Sequence, residues 1–291
     1  MADIKLIATD LDGTFLQEGD TPHPENIRAV KRCHEAGIKV CAFTGRNWSW
    51  TKRIYQQAGF DRFCVLCNGS AIYDAEEREM RYRNRFDPAS IERIIRVIQK
   101  YPKADYWLTG FDHISMLKSH GAPWYTHMDE EEQKRKDVYF YRDADALIDA
   151  VKEDVMRINW RLPYDEYAEQ VLADISEFTD IEIVPAEEHT LEITHKDSNK
   201  SEGLMVLSDI YEIAPENIMA IGDSCNDAMM LAWAGTGVAM GNADERLKAV
   251  ADYVTDINTR AGMAKAVDQI ALGKKRMSGD RAAFGGGSKD A

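Results

Sequence analysis

Ile4-Lys5-Leu6-Ile7-Ala8-Thr9 runs directly into Asp10-Leu11-Asp12-Gly13-Thr14, so an apolar, strand-like segment ends on two carboxylates and a glycine turn. A run of this kind reads as a strand buried on both faces, the form strands take in a parallel α/β sheet. In such sheets ligands bind beyond the carboxyl ends of the strands. Acids two residues apart leave an extended or turning backbone on opposite sides. Asp10 and Asp12 can therefore flank one reacting centre, one attacking while the other moves protons. The plainer alternative is an Asp-Gly turn with Asp10 as an ordinary cap.

Outward from this segment the same arrangement recurs. Ile38-Lys39-Val40-Cys41-Ala42 leads into Phe43-Thr44-Gly45-Arg46, and Ile218-Met219-Ala220-Ile221 leads into Gly222-Asp223-Ser224-Cys225-Asn226-Asp227. A hydroxyl at Thr44 and a closely approachable N–H at Gly45 suit an anion, as does a helix N-terminus capped by Thr44 or Asn47. Lys200, in Asn199-Lys200-Ser201-Glu202-Gly203-Leu204, supplies a point charge where negative charge spreads over phosphoryl oxygens. A solvated charge at a helix start is the bland reading of that lysine.

These four segments, in this order, resemble the four motifs of the haloacid dehalogenase superfamily. The Gly222-Asp223…Asn226-Asp227 spacing is similar to that of its Cof-type phosphatases. The likeness spans residue 4 to about residue 270. One departure is at the third motif, where Ser201-Glu202 separate Lys200 from Gly203; Lys196 is the other candidate there, but only Lys200 is followed by the helix-like Gly203 to Leu207. The resemblance implies that Asp10 is the nucleophile and Asp12 the general acid and base. It implies that Leu11, Thr44, Gly45, Lys200 and Asn226 hold the phosphate, and that Thr44 and Lys200 serve catalysis. Several hard oxygen ligands beside a phosphate imply Mg2+, with Asp10, Asp12 (through its carbonyl) and Asp223 as ligands and Asp227 behind them. Arg46, Asn68 and Gly69 are candidates for the non-phosphate part of a substrate.

Composition sets limits. A chain of 291 residues exceeds the usual size of one core, and 44% hydrophobic residues suffices for two domains. The formal charge of −14, from 36 basic against 50 acidic residues, argues against nucleic acid and anionic membranes as partners. With no apolar stretch near the ~20 residues of a membrane span and no signal-peptide pattern, the expected location is the cytoplasm. Five cysteines fit reduced, mostly buried thiols; Cys64-Val65-Leu66-Cys67 has metal-knuckle spacing but lacks a second pair. Gly235-Thr236-Gly237-Val238-Ala239-Met240-Gly241 superficially resembles a dinucleotide loop, yet its last glycine is one place late and no strand-to-helix turn surrounds it. A short strand, Gly237 to Met240, is expected there instead.

The expected fold class is α/β, a Rossmann-like parallel-sheet core carrying an inserted α+β cap. The core is expected over residues 1–82 and 190–272, the cap over 83–189, and a disordered Gly/Ser-rich tail over 273–291. Core elements are a strand near 4–9, a helix near 24–36, strands near 38–43 and 63–66 with a helix near 47–58 between them, and a possible hairpin at 71–73 and 80–82. Leu191 to Thr194 is expected to return the chain to the core sheet. In the insertion, strands are expected at 105–109, 114–118, 155–160 and 181–184, and helices at 90–99, 144–152 and 164–177. An insertion between the second and third motifs resembles the large cap of the Cof-type subgroup.

The function implied is Mg2+-dependent hydrolysis of small phosphate monoesters, sugar phosphates foremost, through an aspartyl-phosphate. A phosphomannomutase-like phosphotransferase is one alternative, and a non-catalytic phosphoryl-accepting regulatory module is another. Asp12 speaks against the second, since a signalling aspartate needs no proton donor. Conceivable cap contacts are Trp107, His113, His127, Tyr139, Tyr141, Trp160 and Arg161; Trp48 and Trp50 either pack a helix start or border the opening. His23 and Glu187-Glu188-His189 read as loop and linker. The oligomeric state and the particular ester are not legible.

Overall fold

Leu6–Thr9 forms strand β1, completely buried, with parallel neighbours on both sides. This is what a strand whose every side chain is apolar or small requires, since neither of its faces tolerates water. In the computed structural model, which describes residues 3–101, 105–117, 128–161, 170–171, 173–185 and 190–273, the chain divides into two compact units. Among the described residues, the first comprises 3–45, 52–81 and 199–273, and the second 46–51 and 82–198.

The first unit is built on an eight-stranded sheet. Its strands are β1, β4 (Lys39–Phe43), β5 (Phe63–Leu66), β6 (Ala71–Asp74), β7 (Glu79–Arg83), β14 (Ile218–Gly222), β15 (Thr236–Ala239) and β16 (Tyr253–Val254). A small ribbon of β2 (Leu16–Glu18) and β3 (Thr21–Pro22) stands apart. The order is β16-β15-β14-β1-β4-β5-β6-β7, and every pairing from β16 to β5 is parallel. From β1 the chain first proceeds to β4 and β5 on one side and later to β14, β15 and β16 on the other. That reversal is the switch point at which open α/β sheets bind ligands. The helix Pro24–Glu35 starts where His23 Nδ1 accepts from the Glu25 N–H and Pro24 fixes the first turn, and it buries Asn26, Ala29, Val30 and Cys33.

Strand β6 closes on a buried acid. Asp74 is fully buried, with Arg62 Nε at 2.7 Å and Arg81 Nη2 at 3.0 Å. Burial alone would raise its pKa, but the Arg62 bond, the Glu77 N–H and Arg81 outweigh it and hold the carboxyl down at about 2. A depressed folded-state pKa contributes stability that is present above about pH 4 and lost as pH falls towards 2. The stability gap between wild type and Asp74→Asn, read by urea unfolding, is expected to be widest near pH 6 and to narrow between pH 4 and 2.5. A gap independent of pH would contradict the ion-pair account.

The second unit has a six-stranded sheet of order β10-β9-β8-β11-β13-β12, built from β8 (Asp105–Thr109), β9 (Ile114–Leu117), β10 (Val138–Tyr141), β11 (Arg157–Arg161), β12 (Ile181–Pro185) and β13 (Thr190–His195). The helices Pro88–Ile98 and Ala144–Val151 cover one face, where Ile91, Ile95, Leu147, Leu108, Ile158 and Trp160 share a core. Two expectations are corrected here. Leu191 to Thr194 does not return to the core sheet: it lies in β13, antiparallel to both β11 and β12. Its alternation explains this, because Leu191 and Ile193 join the helix-side core while Glu192 bonds Arg157 on the other face. The second unit accordingly runs to Ser198 rather than 189.

Residues 46–51, expected within the core, group with the second unit. Asn47 Nδ2 donates to the His113 carbonyl (3.1 Å), the Trp48 N–H to the Phe111 carbonyl (2.8 Å) and Trp50 Nε1 to the Lys136 carbonyl (3.2 Å). The Lys136 ammonium also lies 4.0 Å from the Trp50 ring. Trp50 thus packs its ring at the start of the helix Trp48–Ala58, while Trp48 is tied there through its backbone N–H. The helix Glu130–Arg135 is wholly polar and was not expected; strand β10 was missed although Val138-Tyr139-Phe140-Tyr141 is a run of strand formers. His127, residues 164–169, 172 and 186–189, and the tail from 274 lie outside the described residues. Among the described residues no helix is long and apolar enough to cross a membrane. All five cysteines are free, four of them buried.

Candidate active site

Four strand ends adjacent in the first sheet, those of β14, β1, β4 and β5, carry the residues singled out from sequence. The Asp10 N–H donates to the Ile221 carbonyl at 2.9 Å, so the first and fourth motifs leave the sheet side by side. The chain then turns at Gly13, whose φ is +70°, a conformation that disfavours side chains. A Cβ there would stand 2.1 Å from Asp223 Oδ2, so glycine is needed for space as well. Asp10 is buried and Asp12 exposed. Two acids from one short segment thus meet opposite environments, one enclosed and one facing water.

Lys200 begins the helix Lys200–Tyr211, which Asn199 caps by accepting from the Glu202 N–H at 3.0 Å. Its side chain is only 1% exposed, and Nζ lies 2.6 Å from both Asp10 Oδ1 and Asp227 Oδ1. Lys196 is exposed in the second unit, so the geometry selects Lys200. Asp227 is fully buried, and its Oδ2 accepts from the N–H groups of Asp223 (3.0 Å) and Ser224 (3.1 Å). One carboxylate thereby orders both the lysine and the loop that carries Asp223. Gly222 makes room for it, since a Cβ would lie 2.3 Å from Asp227 Cγ.

Thr44 follows β4, fully buried. Its N–H donates to the Val65 carbonyl and its carbonyl accepts from the Asn68 N–H, each at 3.0 Å. The Asn68 side chain accepts from Asn226 Nδ2 at 3.1 Å, linking the second motif's neighbourhood to the fourth. Gly69, at φ +95°, brings its α-carbon against the start of the Lys200 helix; a Cβ would stand 2.0 Å from the Asn199 carbonyl oxygen. Asn68 and Gly69 therefore have positions fixed by the site itself. The Leu11 side chain is buried beneath it, Gly45 is half-buried beside Thr44, and Arg46 belongs to the second unit.

Thr14 and Asn242 were missed from sequence. Thr14 Oγ1 reaches Asp223 Oδ1 at 3.4 Å; Asn242 Nδ2 donates to the Gly13 carbonyl at 2.9 Å and lies 3.3 Å from Asp223 Oδ2. The position of Asn242 just beyond the carboxyl end of β15 was the available signal.

The electrostatics are lopsided. Three carboxylates, Asp10, Asp223 and Asp227, gather around Lys200, whose ammonium contacts Asp10 and Asp227. Burial raises the Asp10 carboxyl well above the usual range, with Asp227 and Asp223 adding to the rise and Lys200 opposing it. Burial also pushes Asp223 up to about 7, with Asp227 adding and Lys200 opposing. Burial alone would lower the Lys200 pKa, but Asp10 and Asp227 outweigh it and leave it raised. Carboxylates held this way are short of positive charge. Asp10, Asp223 and Asp227 each offer an oxygen, all within 4.8 Å of one another, a donor set that fits a hard divalent cation.

The profile of the haloacid dehalogenase-like hydrolases matches residues 7–267. The chain belongs to this family, as a Cof-type member. Among its relatives, the 5-amino-6-(5-phospho-D-ribitylamino)uracil phosphatase YcsE of Bacillus subtilis is 26% identical over 269 residues, spanning 91% of this chain and 95% of its own. The pyridoxal phosphate phosphatase YbhA of Escherichia coli is 26% identical over 276 residues, spanning 90% and 96%. A solved haloacid dehalogenase-like hydrolase from B. subtilis superposes with a TM-score of 0.79 at 26% identity, covering 92% of this chain and 100% of that one. This haloacid dehalogenase-like protein is a hydrolase acting on phosphate esters.

Proposed function

We propose that the chain is a Mg2+-dependent phosphatase of small phosphate monoesters, sugar phosphates foremost, working through an aspartyl-phosphate on Asp10. The observation that carries this reading is the contact of one buried ammonium, Lys200, with both Asp10 and Asp227 at 2.6 Å, beside Asp223. A nucleophile must be held still, and this pair holds Asp10 from a helix start and a neighbouring strand end.

Asp10 attacks the phosphorus, forming an O–P bond as the bond to the ester oxygen breaks. Asp12 delivers its proton to the departing alkoxide, a role suited to an acid that remains exposed. Asp12 then takes a proton from water as that water attacks the phosphorus, releasing inorganic phosphate and restoring the Asp10 carboxylate. Thr44, the Gly45 and Leu11 N–H groups, Lys200 and Asn226 hold the equatorial oxygens. Asp10, Asp223 and the Asp12 carbonyl would hold Mg2+, with Asp227 supporting them. The bound ion would neutralise phosphate charge and offset the carboxylate excess.

Metal removal tests this. Phosphate release from a panel of sugar phosphates is expected to fall by at least ~10³-fold in chelator and to return with Mg2+, and Mg2+ alone is expected to raise the unfolding temperature. Equal turnover with and without chelator would contradict the reading.

A further inference from the structure

Lys200 holds Asp10 and Asp227, whereas Asp223 meets two neutral donors from elsewhere in the first unit. Thr14 Oγ1 lies 3.4 Å from its Oδ1, and Asn242 Nδ2 lies 3.3 Å from its Oδ2. Thr14 is fully buried beside the turn at Gly13; Asn242 follows β15 and is exposed. An exposed asparagine is ordinarily free to turn. This one is held on both sides of its amide. Nδ2 also donates to the Gly13 carbonyl at 2.9 Å, and Oδ1 accepts from the Asn258 N–H at 2.9 Å. A backbone N–H only donates and a carbonyl only accepts, so these two partners dictate which way the amide faces.

Asn258 is anchored in turn. Its Nδ2 donates to the carbonyls of Leu16 (3.0 Å) and Gln17 (3.2 Å) on β2. A path of hydrogen bonds thus runs from β2 through Asn258 and Asn242 to Asp223. At its end one side chain holds two proposed cation ligands: the Asp223 carboxylate directly, and the Asp12 carbonyl through the next carbonyl in the chain, that of Gly13. The residue type matters. A lysine or arginine here would also hold Asp223, but its positive charge would compete with the cation. An amide orients the acid and leaves its charge available. Ligands fixed before the cation arrives lose less freedom when it binds, and removing such an outer partner typically costs about 10–100-fold in metal affinity.

We infer that Asn242 is the positioning residue of the cation site, setting Mg2+ affinity by fixing Asp223 and the turn after Asp12, with Asn258 acting through it. This deepens the Mg2+ reading and rests on it.

The test is calorimetric titration of the whole chain with Mg2+ alone, in wild type, Asn242→Ala, Asn258→Ala and the double variant. Affinity is expected to fall by about tenfold or more in Asn242→Ala and by about threefold in Asn258→Ala. The double variant is expected to match Asn242→Ala, because Asn258 acts through the residue already removed. The Mg2+ concentration that half-saturates turnover is expected to rise by the same factors. The urea midpoint of Asn242→Ala without Mg2+ is expected to stay at that of wild type, since the side chain is exposed. An Asn242→Ala affinity within twofold of wild type would overturn the inference, and a lowered midpoint beside it would assign the residue to the fold alone. A double variant weaker than Asn242→Ala by a further threefold would overturn the path through Asn258. Wild type that binds no Mg2+ would overturn the cation reading itself. Wild type that binds it, with the variants unchanged, would leave that reading standing and overturn only the role of Asn242.

Discussion

Asp10→Asn is expected to lower kcat by at least ~10⁴-fold, about 5.5 kcal/mol of barrier, because an amide cannot form the acyl phosphate that the proposed mechanism requires in both half-reactions. The same substitution is expected to leave the fold intact and, without Mg2+, at least as stable as wild type. The reason is electrostatic: Asp10 is buried among Asp223 and Asp227, and an isosteric neutral group relieves that crowding while Lys200 keeps its 2.6 Å bond to Asp227. Steady-state phosphate release and urea unfolding on the same preparation check both halves. Residual activity above about 1% of wild type would remove Asp10 from the nucleophile's role.

Lys200→Met is expected to have the opposite signature, losing stability and activity together. The substitution keeps an unbranched chain of similar size but withdraws the ammonium that contacts both Asp10 and Asp227. Removing one partner of a buried ion pair costs about 3–5 kcal/mol, and here two carboxylates are left facing each other. Mg2+ is expected to restore more stability to this variant than to wild type, because the cation takes over charge the lysine supplied. Turnover is expected to drop by about 10²–10³-fold even in saturating Mg2+, the usual cost of losing one preorganised electrostatic donor. Unchanged unfolding free energy would contradict the ion-pair geometry.

Most of the core site was legible because its chemistry sits at strand ends. Apolar runs such as Leu6–Thr9 and Ile218–Gly222 can only be buried strands, and the residues directly after each must lie at one edge of the sheet. Lys200 was separable from Lys196 by the helix it opens. Side-chain pairing, by contrast, had no signature in the sequence. Asn242 reaches Asp223 only because β15 lies beside β14, and Thr14 does so only because Gly13 turns at positive φ.

The second unit was less legible for a related reason. Thr190–His195 alternates as well for one sheet as for another, and only its antiparallel partners β11 and β12 decide which. Residues 46–51 look like the start of a core helix, yet their hydrogen bonds run to Phe111, His113 and Lys136.

The central claim is that Asp10, Thr44, Lys200 and Asp223 form one site for a single divalent cation and a single phosphoryl group. A crystal structure grown with Mg2+ and vanadate measures it directly. The expected result is vanadate in line with Asp10, bonded to Thr44 Oγ1 and Lys200 Nζ, with Mg2+ held by Asp10 and Asp223. Vanadate or Mg2+ bound away from Asp10, with that carboxylate still closed against Lys200, would contradict it.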